Sequence, residues 1–236
     1  MTATRRKRLR RASLLLFCLG LVIACYPPVS NWARNVMQAA DSRRYAVEQS
    51  REGSSGQSEL DALYRQMQAY NKRLCEEGQK LTDPFSYEEP SFDLTQFGLE
   101  DNIVGYLSIP KLGLQLPVYL GASRENLRKG AVHLSQTSLP IGGDSTNAVI
   151  AAHRGLASQE MFLHIDRLVI GDEIHFSNFR EELHYRVAEI EIIAPDDIQK
   201  VLIQPGRDLL TLVTCHPYPT TRQRYVVYCE RAENET

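Results

Sequence analysis

The sequence is poor in several features that would settle its class quickly. Five cysteines in 236 residues are too few for a disulfide scaffold, and their number is odd. No CxxC or HExxH occurs, so a zinc centre has no signature here and no metal site is expected. The 14 glycines and 11 prolines follow no period, which excludes a collagenous or low-complexity chain. No internal repeat is visible. Beyond residue 11 there is no basic stripe with interleaved aromatics, so no nucleic-acid partner is expected. What is present is a composition that is 43% apolar, enough to bury a core and exclude wholesale disorder.

The net charge of −2 hides an asymmetry. Residues 1–11 carry six basic side chains and no acid, leaving 21 basic against 29 acidic residues in the remainder. The charge-free apolar stretch 12–25 follows directly, and Tyr26, Pro27 and Pro28 close it. A full membrane span needs about 20 apolar residues, but about 17 suffice and flanking arginines can snorkel outward. A signal anchor with its basic end inside fits the positive-inside rule. A cleaved secretory signal is a second reading, although no A-x-A site follows. A loose lipoprotein box ending at Cys25 is the third. All three place the body of the chain outside the cytoplasmic membrane.

Along the chain, residues 1–30 are thus expected to be a cytoplasmic basic tail and membrane anchor. Residues 31–58 form a helix-compatible stalk with a linker at 50–57 (SREGSSGQ). A helix is predicted from Ser58, where Ser58-x-x-Asp61 has the form of a capping box. Leu60, Leu63, Tyr64, Met67, Tyr70 and Leu74 follow at helical spacing, and Gly78 supplies the stop. From about residue 101 to the end, short β-type runs alternate with Gly, Pro and Asn. Strands are predicted near 103–109, 115–119, 148–152, 173–176, 182–193, 209–214 and 224–230, a mainly β barrel or sandwich. Within 182–193 the apolar phase flips from Leu183, Tyr185 and Val187 to Ile190 and Ile192. A bulge is therefore predicted near Ala188.

Three positions carry the chemistry. The apolar run 149–152 ends at His153, and the run 209–214 ends at Cys215. Arg224 opens the last predicted strand nine residues later. Strand ends are where a rigid sheet presents side chains to a loop-walled cleft. A thiol, an imidazole and a guanidinium form a coherent acyl-transfer set: nucleophile, proton carrier and oxyanion donor. Singly, each has an ordinary role as buried thiol, surface histidine or strand-end charge. Cys215 and His216 are sequence neighbours whose side chains would diverge along a strand, so His153 is the better partner.

Thr211 to Cys215 (TLVTC), with Arg224 downstream and His153-Arg154-Gly155 upstream, resembles the signature of sortases, the Gram-positive cell-surface cysteine transpeptidases. The phrase TLVTCHPYPTTRQR is similar to the class C, pilus-assembling branch, as are HRGLAS and LTDPFS; the likeness spans about residues 60–230. The resemblance implies a mainly β, eight-stranded sortase barrel with N-terminal helices and short connecting helices. It implies Cys215, His153 and Arg224 as catalytic residues, with Thr214 and His216 beside the substrate. By the same resemblance, Cys215 attacks the Thr–Gly bond of an LPxTG-like sorting signal. The thioacyl-enzyme is then resolved by a pilin lysine, without cofactor. No acidic loop matches the calcium site of some other sortases. Asp83-Pro84-Phe85 resembles the class C lid: Asp83 can pair with Arg224 while Phe85 covers the thiol. An Asp-Pro turn leading into the barrel is the plainer reading.

The resemblance further implies a monomeric catalytic domain held to the membrane by the N-terminal segment. Many class C members carry a second apolar segment after the barrel, whereas residues 230–236 (ERAENET) are polar, so the first segment is expected to be the only anchor. His216 and Pro219 stand where class C often has Thr and Gly. Three other functions compete: a housekeeping-type sortase serving peptidoglycan, a secreted cysteine protease, and a non-enzymatic surface β-domain. Cys75 and Cys229 could in principle pair in an oxidising compartment, but both are expected to be structural thiols.

Overall fold

The computed structural model describes residues 16–18, 20–21, 54–79, 89–91, 93–97, 99, 102–155 and 159–232. Most of the expected anchor at 12–25, most of the stalk, and the lid residues Asp83 and Phe85 lie outside them. Among the described residues no helix is long and apolar enough to cross a membrane.

Eight strands form the body: β1 (Ile103–Ile109), β2 (Leu114–Leu120), β3 (Ala131–His133), β4 (Thr146–Ala151), β5 (Glu173–Ser177), β6 (Glu182–Ile193), β7 (Asp208–His216) and β8 (Gln223–Arg231). They close into a barrel in the order β1-β2-β3-β4-β7-β8-β6-β5. Two neighbours run parallel, β2 with β3 and β4 with β7; the other pairs are antiparallel. The seven predicted strands all occur. The eighth, β3, has only three residues and offers no period to read.

Alternation along the strands sorts the apolar side chains into two clusters. All eight strands contribute to the first, which therefore fills the barrel; Leu107, Leu120, Ile150, Phe176, Tyr185, Leu212 and Val227 belong to it. The second lies on the outer face of β2, β3, β4, β7 and β8. Val149, Ala151, Val213 and Val226 pack there beneath the short helix α2 (Arg124–Lys129) and residue Val201. Ser123 caps α2 by accepting from the Asn126 N–H at 3.1 Å.

The N-terminal helix α1 spans Ser54–Glu77, starting four residues before the predicted cap at Ser58. Once the stripe is docked, each added residue gains a backbone hydrogen bond without a new nucleation cost, so the helix runs back into the expected linker. Leu63 and Met67 are fully buried against the barrel core, each contributing about 1.5–3 kcal/mol. Asn71 adds a polar clamp absent from the apolar pattern: its Nδ2 donates to Leu139 O at 3.0 Å and its Oδ1 accepts from Leu139 N at 2.7 Å. The helix ends at Gly78, whose φ of 85° suits a glycine stop and whose N–H reaches Leu74 O at 3.1 Å.

The β6–β8 register slips between Val187 and Glu189, so the bulge falls at Ala188 as predicted. Beyond it Ile190 packs against the barrel core, Ile193 joins the outer cluster, and Ile192 is 49% exposed opposite Tyr225. Cys75 and Cys229 are unpaired, as expected. Cys229 is buried among the β8 core residues while Cys75 is exposed on α1, and both are free thiols.

Candidate active site at three strand ends

β4, β7 and β8 lie side by side, and their register decides what meets at their ends. Ala151 is level with Val213 in the parallel β4–β7 pair, and Ala152 N continues that ladder to Val213 O at 3.2 Å. His153 follows directly after Ala152, just beyond the end of β4, as Cys215 follows Thr214 on β7. In the antiparallel β7–β8 pair Cys215 lies directly opposite Arg224. Three residues separated by up to 71 positions in sequence thus come to one edge of one sheet.

The threonines of TLVTC explain why these ends are rigid. Thr211 Oγ1 donates to Asn147 Oδ1 at 2.7 Å, and Thr214 Oγ1 donates to Ala152 O at 2.8 Å. Thr214 therefore ties the residue before Cys215 to the residue before His153. Its side chain has no exposed surface, so the contact it makes is with β4 rather than with a ligand in the groove.

His153 is half-buried, and desolvation pushes its imidazole below the ordinary histidine value, which favours the neutral ring at pH 7. Its carbonyl accepts from Phe162 N at 3.1 Å, which ties it to the turn at Met161 and Phe162. Cys215 is partly exposed at the rim. Arg224 is only 5% exposed; its Nη1 donates to Thr221 O at 2.9 Å and Gln223 O at 3.1 Å. The β7–β8 turn thereby holds the guanidinium in place beside the thiol-bearing strand.

Behind this set lies a second one that sequence reading missed. Each strand end carries a pair: His153-Arg154, Cys215-His216 and Arg224-Tyr225. Extended chain sends consecutive side chains to opposite faces. Arg154, His216 and Tyr225 accordingly meet on the other face. Arg154 Nη1 donates to His216 Nδ1 at 2.6 Å, and Nη2 pairs with Asp166 at 3.1 Å. Arg154 also stands 5.3 Å from the Tyr225 ring centroid, with the His216 ring 5.7 Å from the same ring. His216, expected at the substrate, is thus engaged by Arg154. An arginine can only donate, so Nδ1 accepts and the neutral ring carries its proton on Nε2. Burial first, and the Arg154 charge second, push the His216 imidazole down from its ordinary value. The signal was present: three adjacent dipeptides at three strand ends.

An uncharged imidazole, a thiol and a fixed guanidinium at one rim can attack a carbonyl, move a proton and hold an oxyanion. Asp83 and Phe85, the expected lid, lie outside the described residues.

Comparison with known proteins agrees with this chemistry. The sortase domain family matches residues 107–232, more than half of the chain. Among solved structures, sortase C1 of group B Streptococcus pilus island 1 superposes with a TM-score of 0.73 at 30% identity, covering 83% of this chain and 92% of that one. The sortase C of Streptococcus pneumoniae gives 0.73 at 32% identity, covering 82% and 97%. A curated relative, sortase A of Bacillus anthracis, is 30% identical over 125 residues, 53% of this chain and 58% of that protein. Sortase D of Bacillus subtilis is 27% identical over 130 residues, 54% and 63% respectively. The chain thus spans about three-fifths of the length of these curated relatives.

Proposed function

The chain belongs to the sortase family of cysteine transpeptidases, and we propose that it cleaves an LPxTG-like sorting signal and joins it to a pilin lysine. The observation that carries this reading is that Cys215 lies directly opposite Arg224 while His153 follows the neighbouring strand β4, whose ladder with β7 runs on to Ala152. In the proposed reaction, neutral His153 takes the Cys215 proton as sulfur attacks the threonine carbonyl. Arg224 donates to the oxyanion or to the bound peptide backbone. The imidazolium then protonates the departing glycine amine, leaving a thioacyl-enzyme. A lysine amine attacks that thioester, giving a proton to His153, which passes it to the departing sulfur as the isopeptide bond forms and the Cys215 thiol is released. No metal or organic cofactor enters these steps.

The pilin acceptor is favoured by the likeness to sortase C structures and by the PY sequence after Cys215. We place the catalytic domain at the outer face of a Gram-positive membrane, with residues 12–25 as its anchor and the barrel acting as a monomer. Asp83 and Phe85 would occupy the groove at rest. Replacing both by alanine should then speed labelling of Cys215 by a thiol reagent, and unchanged labelling would make the segment a connector.

A second reading rests on the curated relatives named sortase A: transfer to a cell-wall amine rather than to pilin. Incubation with a sorting peptide, pilin and a wall-peptide amine separates the readings. Covalent pilin ladders support polymerisation, and a wall-peptide adduct supports anchoring. Hydrolysed peptide whose yield ignores added amine would indicate a protease. Absence of any adduct on Cys215 by mass spectrometry would remove the transpeptidase reading altogether.

A further inference from the structure

We propose that the β5–β6 hairpin carries a transition-metal site, formed by His175, His184 and Glu182, that takes Zn²⁺ or a similar divalent ion. His175 on β5 and His184 on β6 are directly opposite in the antiparallel register, with ring centroids 4.6 Å apart. Glu182 lies two residues from His184 and so shares its face of β6. Among the described residues these three are the group whose donor atoms could hold an ion, all lying within 4.8 Å of one another.

One donor pair already has the spacing that the borderline-soft ions need, within a group whose donor atoms all lie within 4.8 Å. Ligands at about 2.0–2.1 Å in a tetrahedron stand about 3.3–3.4 Å apart. His175 Nδ1 and Glu182 Oε1 are 3.4 Å apart. The other nitrogen of the same ring, Nε2, faces Glu173 Oε2 at 3.7 Å. A ligating histidine ordinarily offers its second N–H to such a carboxylate, which orients the ring and raises its basicity. One histidine thus has one acid placed as fellow ligand and another as outer support. Two imidazoles with one carboxylate suit zinc, nickel or copper rather than calcium or magnesium, with water completing the shell.

The site is separate from the proposed chemistry. Ile193, at the far end of β6, is level with Arg224, and nine residues of strand between His184 and Ile193 measure about 30 Å. An ion here would pin β5 to β6.

The test is calorimetric titration of the untagged full chain, carrying Cys215→Ala to remove the reactive thiol, with Zn²⁺ and then Co²⁺. One equivalent should bind at pH 7.5, and Co²⁺ should show the strong visible absorption of a tetrahedral site. His184→Ala should lose binding, and Glu182→Gln should weaken it about tenfold or more. Glu173→Gln, which removes the carboxylate facing Nε2 of His175 but no proposed ligand, should weaken it about 10-fold, as outer-shell losses do. Absence of a stoichiometric site overturns the proposal. So does binding that His175→Ala and His184→Ala leave unchanged, since exposed thiols such as Cys75 would then be the ligands.

Discussion

Two histidines on adjacent strands of the same sheet have opposite circumstances. His133, at the end of β3, has no exposed surface, and burial pushes its imidazole down to about 4. Its Nε2 faces Ser138 O at 2.9 Å and Thr137 Oγ1 at 3.0 Å, inside a polar seam that continues through Ser138 to Asn147 and Thr211. His153, just past the end of β4, is half-buried at the rim and shifted in the same direction by the same cause. The more perturbed ring is the one that no peptide can reach. A shifted titration therefore marks burial first; a functional reading needs exposure and chemically matched neighbours as well. The seam is held by its own hydrogen bonds, with His133 Nδ1 buried and left without a partner among the described residues, whereas the rim gathers a thiol, an imidazole and a guanidinium at an open edge.

The sharpest way to break this contrast is to remove rim groups. Cys215→Ala or His153→Ala should lower sorting-peptide cleavage by at least about 1000-fold while leaving the thermal midpoint nearly unchanged. A large fall in stability with activity retained would put the rim in the same category as the seam. The converse substitution, His133→Ala, should cost about 2–4 kcal/mol in denaturant unfolding through a cavity and orphaned partners. Turnover per folded molecule should stay within about threefold.

The seam should also write a pH dependence. The folded His133 value of about 4 lies below the unfolded one near 6.5, so the unfolded chain binds the extra proton between them. Stability associated with this group is complete above pH 6.5 and declines as pH falls toward 4, by about 3 kcal/mol in all. Comparing wild type with His133→Gln in urea titrations across that window should isolate the loss. The smallest effect is expected behind the rim. Arg154→Leu should lower kcat by about tenfold by loosening the two strand ends, and should raise the His216 titration followed by NMR. An unchanged His216 titration would mean that Arg154 does not act through that ring.

Much of this was readable beforehand because it depended on local pattern. The stripe from Leu60 to Leu74, the glycine stop and the phase flip at Ala188 are each contained in a short window. So were the apolar runs ending at His153 and Cys215. What escaped depended on pairing between distant segments. Three residues of β3 have no period, and the start of α1 reflects docking rather than the local Ser58 motif. The Asn71–Leu139 clamp joins positions far apart in the chain. The Arg154–His216–Tyr225 layer appears once β4, β7 and β8 are set in register. The same register leaves Thr214 facing Ala152, a relation that adjacency to Cys215 could not reveal.

The parallel pairing of β4 with β7 has one more consequence. Parallel neighbours cannot be joined by a tight turn, and here the crossover contains β5 and β6 in full. A backbone cut in the exposed turn at Val169–Ile170 would divide the imidazole and the thiol between two polypeptides, each inert alone. Reassociation of those halves would restore turnover only when the barrel closes, making this fold a natural starting point for a two-fragment complementation reporter.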